Sequence, residues 1–237
     1  MISIVIPTYN HLEQCLKPCV ESMLKSDLRD SEVVVVCNGC KDGSEEYIKS
    51  LNDDRFKLVS TPDALGYTKA INVGIVRSSG DKVVLTNDDI VLLDWGKNWL
   101  SILEEPIDQD PQTVMTGSSK DVWAKDKPFL VFSMVMIRRK TLYEFGLLDE
   151  VFNPGAGEDC DFSLKCLAKG YKYRQVPKDF DCWKTEFPMW HVGHMTCGGV
   201  EGWNETSTRN TKILEDRYPR TDEDRELQKK FSEGLQP

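Results

Sequence analysis

The 237-residue chain is 40% hydrophobic and 29% charged with a formal net charge of −9, enough apolar material to bury a sizeable core as one large domain or a domain with an appendage. The acid excess argues against a broad nucleic-acid surface, which needs clustered Lys and Arg, but leaves room for a small basic pocket. Its longest apolar runs, such as Val33 to Val36, are far too short to span a bilayer, and no signal peptide is visible, so a soluble cytoplasmic protein is expected.

Apolar runs alternate with helical patterns through the first half. Strands are predicted at Ile2–Ile6, Glu32–Val36, Phe56–Val59 and Lys82–Thr86, with helices near Leu12–Ser26, Gly43–Leu51 and Leu65–Arg77 between them. This alternation predicts an α/β fold, a mainly parallel sheet flanked by helices and joined by right-handed crossovers. Pro18 conflicts with the first helix, because proline lacks the amide donor, and should kink or restart it. The second half predicts a long strand at Phe129–Ile137, a short helix at Arg139–Phe145 and a loop rich in Gly, Pro and acid at Leu148–Glu158. A helix at Asp159–Lys169 and a strand at Lys172–Val176 follow. Asp179–Trp203 is rich in Trp, His and Gly and reads as an irregular binding loop. Beyond Asn204 the chain is polar, with helices expected around Lys212–Arg217 and Asp222–Phe231.

The eight cysteines do not form a small secreted framework in a chain this long without an export signal. Cys37-Asn38-Gly39-Cys40 is a CxxC without a second CxxC to complete a zinc site and without the helix-opening context of a redox motif, so reduced thiols are expected. The sequon Asn204-Glu205-Thr206 carries no meaning in a protein that is not secreted.

The chemistry centres on Asn87-Asp88-Asp89, an acidic pair where a buried strand leaves the core. Ligands bind at such strand ends, and hard oxygens there suit Mg²⁺ or Mn²⁺ held against a diphosphate. Literal Asp-x-Asp triplets occur four times elsewhere, at Asp108/Asp110, Asp159/Asp161, Asp179/Asp181 and Asp222/Asp224, so context rather than the triplet singles out residues 87–89. Three further segments would converge with it if the strands lie side by side. They are Pro7-Thr8-Tyr9-Asn10, Cys37-Asn38-Gly39, and Gly157-Glu158-Asp159-Cys160-Asp161 at a helix start, where the dipole favours anionic side chains. Each alone is also ordinary turn or cap chemistry.

In order and spacing these segments resemble the nucleotide-sugar-dependent glycosyltransferases of the GT-A fold, within glycosyltransferase family two. The resemblance runs from Ile2 to Thr196 and takes in Ser3–Asn10, Val35–Ser44, Gly66–Gly74, Asn87–Asp89, Gly157–Phe162 and His191-Val192-Gly193-His194-Met195-Thr196. It implies a Rossmann-like mixed, mainly parallel sheet with a C-terminal acceptor-side lobe. Residues 1–204 would form the transferase domain, with 1–92 holding the donor and 93–204 the acceptor and catalytic groups, and 205–237 a charged helical tail. It further implies that Pro7, Thr8, Tyr9 and Asn10 line base and ribose, that Asn38 faces the base, and that Lys69 and Asn72 lie near base and diphosphate. Asn87 and Asp88 would approach ribose and sugar, Asp89 and His191 would bind Mn²⁺ or Mg²⁺, Asp159 would be the general base, and Glu158 would orient the acceptor. His194 competes with His191, and Trp183, Trp190 and His194 are candidate acceptor contacts. The chain departs from the family at Cys37, where an acid is usual, and at Asn87, which replaces the first acid of the usual motif.

The implied reaction is inverting transfer of a sugar from a nucleoside-diphosphate sugar, a UDP-sugar being favoured, to a hydroxyl of a glycan, protein or lipid-linked sugar. Oligomerisation is left open. A sugar nucleotidylyltransferase would need a glycine-rich, arginine-bearing loop where Pro7-Thr8-Tyr9-Asn10 stands. A catalytically silent nucleotide-sugar-binding module would have little use for a base at Asp159.

Overall fold

The computed structural model describes residues 1–94, 96, 98–178, 185–193 and 202–233, with side chains through 229. Its elements, in chain order, begin with β1 (Ile2–Thr8), α1 (Lys17–Lys25), β2 (Ser31–Asn38), α2 (Ser44–Ser50), β3 (Phe56–Thr61), α3 (Tyr67–Arg77), β4 (Lys82–Thr86) and β5 (Ile90–Leu92). They continue with α4 (Trp99–Gln109), β6 (Thr113–Gly117), β7 (Lys120–Ala124), β8 (Lys127–Leu130), β9 (Met134–Arg138) and α5 (Arg139–Phe145). The last are α6 (Glu158–Ala168), β10 (Lys172–Gln175), β11 (Met189–His191), α7 (Trp203–Arg217) and α8 (Asp222–Glu233). No helix among the described residues is long and apolar enough to cross a membrane.

Seven strands form one sheet in the order β10-β6-β9-β4-β1-β2-β3. All neighbours are parallel except β9, which runs antiparallel to both β4 and β6. Side chains alternate across the pleat, and both faces are covered. Ile4, Ile6, Val33, Val35, Met134 and Met136 pack beneath α1 and α4, whereas Val5, Val34, Val36, Leu85, Val135 and Ile137 pack beneath α3, α5 and α6. That two-sided burial explains why β2 reads as an unbroken apolar run. Helix α3 lies so close to the sheet that a Cβ at Gly74 would stand 2.3 Å from Val5 Cγ1, so only glycine fits there.

The structure revises several predicted elements. The helix expected over Leu12–Ser26 begins as a π-helical turn at Leu12–Leu16, and α1 follows with Pro18 in its first turn, where the missing amide has no intrahelical partner to lose. The long strand expected over Phe129–Ile137 is two strands. Residues 127–130 pair with β7 in a hairpin, and the chain then breaks at Val131–Ser133 before entering the main sheet as β9. Helix α4, with Pro106 inside it, and strands β5, β6, β7 and β11 were not predicted. The charged stretch after residue 204 forms α7 and α8. Leu214 of α7 packs with Trp123, Phe152, Cys160 and Leu164, and Arg217 donates to Asp161 at 2.7 Å.

At the edge of the sheet opposite the strand ends that carry the acidic pair, buried Glu32 accepts from Ser3 Oγ (2.6 Å), Lys57 Nζ (2.5 Å) and the Ser79 N–H and Oγ (2.6 and 2.9 Å). Burial alone would raise its carboxyl, but the donors from Lys57, Ser3 and Ser79 outweigh it and lower the pKa to about 2. A depressed folded-state pKa contributes stability above the unfolded value near 4.5 that is lost as pH falls towards 2. Glu32→Gln should therefore lose about 3 kcal/mol at pH 7 and show a shallower decline in stability between pH 5 and pH 2 than the wild type. Urea denaturation across that range would check it, and equal slopes for the two proteins would contradict the assignment.

Candidate active site

The ends of β1, β2 and β4 open on the same edge of the sheet. Thr8, 2% exposed, donates its hydroxyl to Asp88 Oδ2 at 2.6 Å, joining the first strand's end to the acidic turn. Pro7 is buried beside it in β1, and the Tyr9 ring is exposed at the rim. Asn10 and His11 both adopt positive φ (57° and 60°). Asn10 Oδ1 accepts the Lys41 N–H (2.9 Å), and its own N–H meets Cys40 Sγ (3.4 Å). Cys37 is fully buried within β2, so the sulfur in the position where an acid is usual has no access to a ligand. Asn38 is buried, and its Oδ1 accepts the Leu65 N–H at 2.7 Å.

Asp88 and Asp89 are 6% and 5% exposed. Burial, then repulsion from Asp89, pushes the Asp88 carboxyl up to about 7 against the opposing Thr8 hydrogen bond. The unpredicted ribbon of β5 and β11 sets His191 opposite Ile90, next to Asp89. His191 Nε2 stands 3.2 Å from Asp89 Oδ1, and the Gly193 N–H donates to Oδ2 at 3.0 Å. Asp89 Oδ1 is buried yet accepts no hydrogen bond, since the imidazole lies close without the alignment of one. A buried oxygen with free lone pairs facing an imidazole fits a divalent cation such as Mn²⁺ or Mg²⁺. No cluster of three or more such side chains occurs among the described residues, so two protein ligands would leave the other positions to substrate oxygens and water.

The second acidic pair opens α6 after Gly157, whose φ of 107° favours glycine. Glu158 is buried with Oε2 unpartnered, and burial followed by repulsion from Asp159 drives its pKa up. Asp159 is also raised, by burial first and by Asp121 of β7, while the amides of Cys160 and Phe132 favour its charged form. With Glu158 raised further, Asp159 is the member of the pair that ionises first. The charge of both pairs reaches the Tyr67 hydroxyl, Glu158 and Asp159 acting more strongly on it than Asp89 and Asp88. Tyr67 was not predicted as a site residue, although an aromatic at the start of a helix inside Gly66–Gly74 was the available signal.

Other predicted residues take structural partners. Asn72 is buried, its Nδ2 donating to Leu148 O (2.8 Å) and Glu150 Oε1 (3.2 Å) and its Oδ1 accepting the Leu148 N–H (3.1 Å). Lys69 is half-buried, with its backbone N–H on Asn153 Oδ1. The Asn87 N–H donates to Ser133 O (3.1 Å). Trp190 is 65% exposed on the ribbon opposite Val91. Trp183 and His194 lie outside the described residues.

Three comparisons bear on this arrangement. The family model described as Glycosyl transferase family 2 matches residues 3–122. Glycosyltransferase GlyG of Streptococcus pneumoniae is 26% identical over 161 residues, which cover 67% of this chain and 51% of that protein. The chain thus spans about half the length of this curated relative. Among solved structures, the mannosyltransferase PcManGT of Pyrobaculum calidifontis, in complex with GDP-Man and Mn²⁺, superposes with a TM-score of 0.62 at 20% identity, covering 75% of this chain and 55% of that one. TarS of S. aureus in complex with UDP gives 0.56 at 20% identity, covering 74% and 60%. These likenesses show a fold of the GT-A type.

The loop before α6 is clamped from α7. Asn210, 1% exposed, directs Nδ2 at the carbonyls of Phe152, Gly155 and Ala156, each at 2.8 Å. Asn153 in the same loop donates to Leu65 O (2.8 Å), and its Oδ1 accepts the Lys69 N–H at the start of α3. Asn210→Ala would leave the Gly155 and Ala156 carbonyls without a donor and Phe152 O with the Gly155 N–H alone, and should cost about 3 kcal/mol. Thermal melting would measure the loss, and hydrogen exchange should show faster opening of residues 152–157. An unchanged melting temperature would contradict the clamp.

Proposed function

The chain belongs to glycosyl transferase family 2, and from that premise we propose that it moves a hexose from a nucleoside-diphosphate sugar, a UDP-sugar by preference, to an acceptor hydroxyl with inversion. The observation that supports this most is the pairing of Asp89 with His191 beside a second, buried acidic pair at one edge of the sheet. The donor reading is supported by the solved neighbours, one bound to GDP-Man with Mn²⁺ and another to UDP. A glycan, a protein or a lipid-linked sugar would supply the acceptor.

In this reading Tyr9 covers the base and Asn10, Asn38 and Lys69 border the nucleotide, with Asn72 bracing the loop behind it. Asp88, fixed by the Thr8 hydroxyl, faces the ribose and donor sugar with Asn87. Asp89 and His191 would hold Mn²⁺ or Mg²⁺, which would supply Lewis-acid neutralisation of the charge on the leaving diphosphate. Asp159, the more readily ionised member of its pair, takes the proton from the acceptor hydroxyl as oxygen attacks the anomeric carbon. Glu158, kept protonated by burial, donates a hydrogen bond that orients the acceptor. One displacement from the face opposite the leaving group inverts the anomeric centre. Trp190, exposed on the ribbon that carries His191, offers a ring face to the acceptor sugar.

A panel of nucleotide sugars screened for Mn²⁺-dependent thermal stabilisation should pick out the donor, because a ligand that binds only the folded state raises its stability. Asp89→Ala should lose the Mn²⁺-dependent increment and transfer together. Asp159→Asn should keep the increment while kcat falls by about 10²- to 10⁴-fold. The acid limb of the kcat profile should lie above the ordinary carboxylate value near 4, because burial raises Asp159 and a base must be ionised to act. Full transfer by Asp159→Asn would remove it as base. Stabilisation by a nucleotide sugar without hydrolysis or transfer would favour a silent binding module instead.

A further inference from the structure

Tyr67 occupies a place that its bulk alone does not explain. Its ring packs against the sheet face beneath α3, where a phenylalanine would fill the same space. Its hydroxyl feels the charge of Glu158, Asp159, Asp89 and Asp88 yet donates to none of them. The donor is directed instead to the Phe132 carbonyl at 3.2 Å. Burial, and then the carboxylates, push the phenol well above its usual range, so it remains a donor at any working pH. The other end of the residue is also anchored, its N–H donating to Pro154 O at 2.7 Å.

Phe132 lies in the break between β8 and β9, where its backbone groups have no strand partner. Its carbonyl receives the Tyr67 hydroxyl, its ring lies edge-on to Phe162 of α6 with the centroids 6.1 Å apart, and its N–H favours the charged Asp159 carboxylate at the start of that helix. One residue's backbone therefore joins the start of α3 to the start of α6. Building on the reading of Asp159 as the base, we propose that Tyr67 is a positioning residue for catalysis, holding the Phe132 backbone so that its amide keeps the Asp159 carboxylate in the cleft. Neither a direct bond to the acid nor contact with substrate is needed. Release of the Phe132 carbonyl leaves this backbone tied, apart from Asp159, only through its neighbours, the Val131 N–H on Ser119 O and the Ser133 carbonyl on the Asn87 N–H, so the amide that favours the charged carboxylate is less firmly directed.

Tyr67→Phe removes the hydroxyl alone and keeps the ring, so the variant tests the bond rather than the packing. The expected result is a kcat about tenfold lower, equivalent to one hydrogen bond, with the donor KM and the Mn²⁺-dependent stabilisation by UDP unchanged within twofold. The acid limb of the kcat profile should also move to higher pH, because the lost amide support had favoured the ionised carboxylate. The groups facing Asp159 that could contribute to that limb are Glu158 and Cys160 on its own helix, Asp121 from β7 and Tyr67 itself. Circular dichroism and thermal melting of the variant establish that it folds. An unchanged kcat, a loss carried by donor KM, or a uniform loss without movement of the limb would overturn the proposal. Asp159→Asn, assayed beside it, separates the two failures: full activity there removes the base, whereas inactivity there with an unaltered Tyr67→Phe removes only the positioning role.

Discussion

Three consecutive residues without strand partners, Val131, Phe132 and Ser133, tie the molecule's halves together through their backbone. The Ser133 carbonyl accepts the Asn87 N–H, which orients the turn carrying Asp88 and Asp89. The Phe132 carbonyl accepts the Tyr67 hydroxyl, and the Val131 N–H donates to Ser119 O on the way into β7. Backbone groups buried away from water must find partners, so the break in the strand cannot be left open. Its partners come from α3, the β4–β5 turn and the chain between β6 and β7, and α6 adds the Asp159 carboxylate. The reversal of β9 within an otherwise parallel sheet follows from the same break, because the chain turns there from the hairpin into the core.

Four carboxylates act on the Tyr67 phenol at that junction, and three of them, Asp88, Asp89 and Glu158, are buried. Burial and repulsion from Asp89 favour the protonated form of Asp88 against the Thr8 hydrogen bond, burial and repulsion from Asp159 favour that of Glu158, and Asp89 keeps an oxygen with no hydrogen-bond donor. Charge confined in this way costs folding free energy unless a counter-ion or proton offsets it. Natural proteins accept such a cost at functional sites, and the clamps elsewhere offset it. Asn210 and Arg217 hold the approach to α6, and Glu32 secures the opposite edge of the sheet with a well-partnered charge. Well-partnered polar groups thus lie away from the cleft, and the unpartnered oxygens of Asp89 and Glu158 lie within it.

The elements that carry a strong local pattern were legible from residue order. The four parallel strands of the first half were, because the buried apolar runs of β1, β2 and β4 stand out against their helical neighbours and the edge strand β3 keeps a shorter apolar pattern around Phe56, Leu58 and Val59. Helix α4 was hidden by Pro106 inside its period, and β5, β6 and β11 are three to five residues long, too short for a repeat to declare itself. The strand expected across residues 129–137 failed for a different reason. Phe132 is buried and apolar, so nothing in its side chain announces that its backbone has left the ladder. Asn38 and Asn72 were legible as polar residues at special places, but their amide groups serve the chain's own loops at Leu65 and Leu148.

Residue order by itself determined that the chain folds as an α/β domain and that an acidic pair ends its fourth strand, because period and polarity are local properties of consecutive side chains. It also determined the order in which the site's segments appear along the chain. Only the tertiary structure decided that the β5–β11 ribbon sets His191 against Asp89, that the Tyr67 hydroxyl donates to the Phe132 carbonyl, and that α7 braces the loop before Asp159. Each of those meetings joins residues from about fifty to over a hundred positions apart through a bond between one side chain and a distant backbone group, and the backbone half is one that almost any residue type can offer. A contact made by atoms common to all residues leaves no mark in the identity of any one of them.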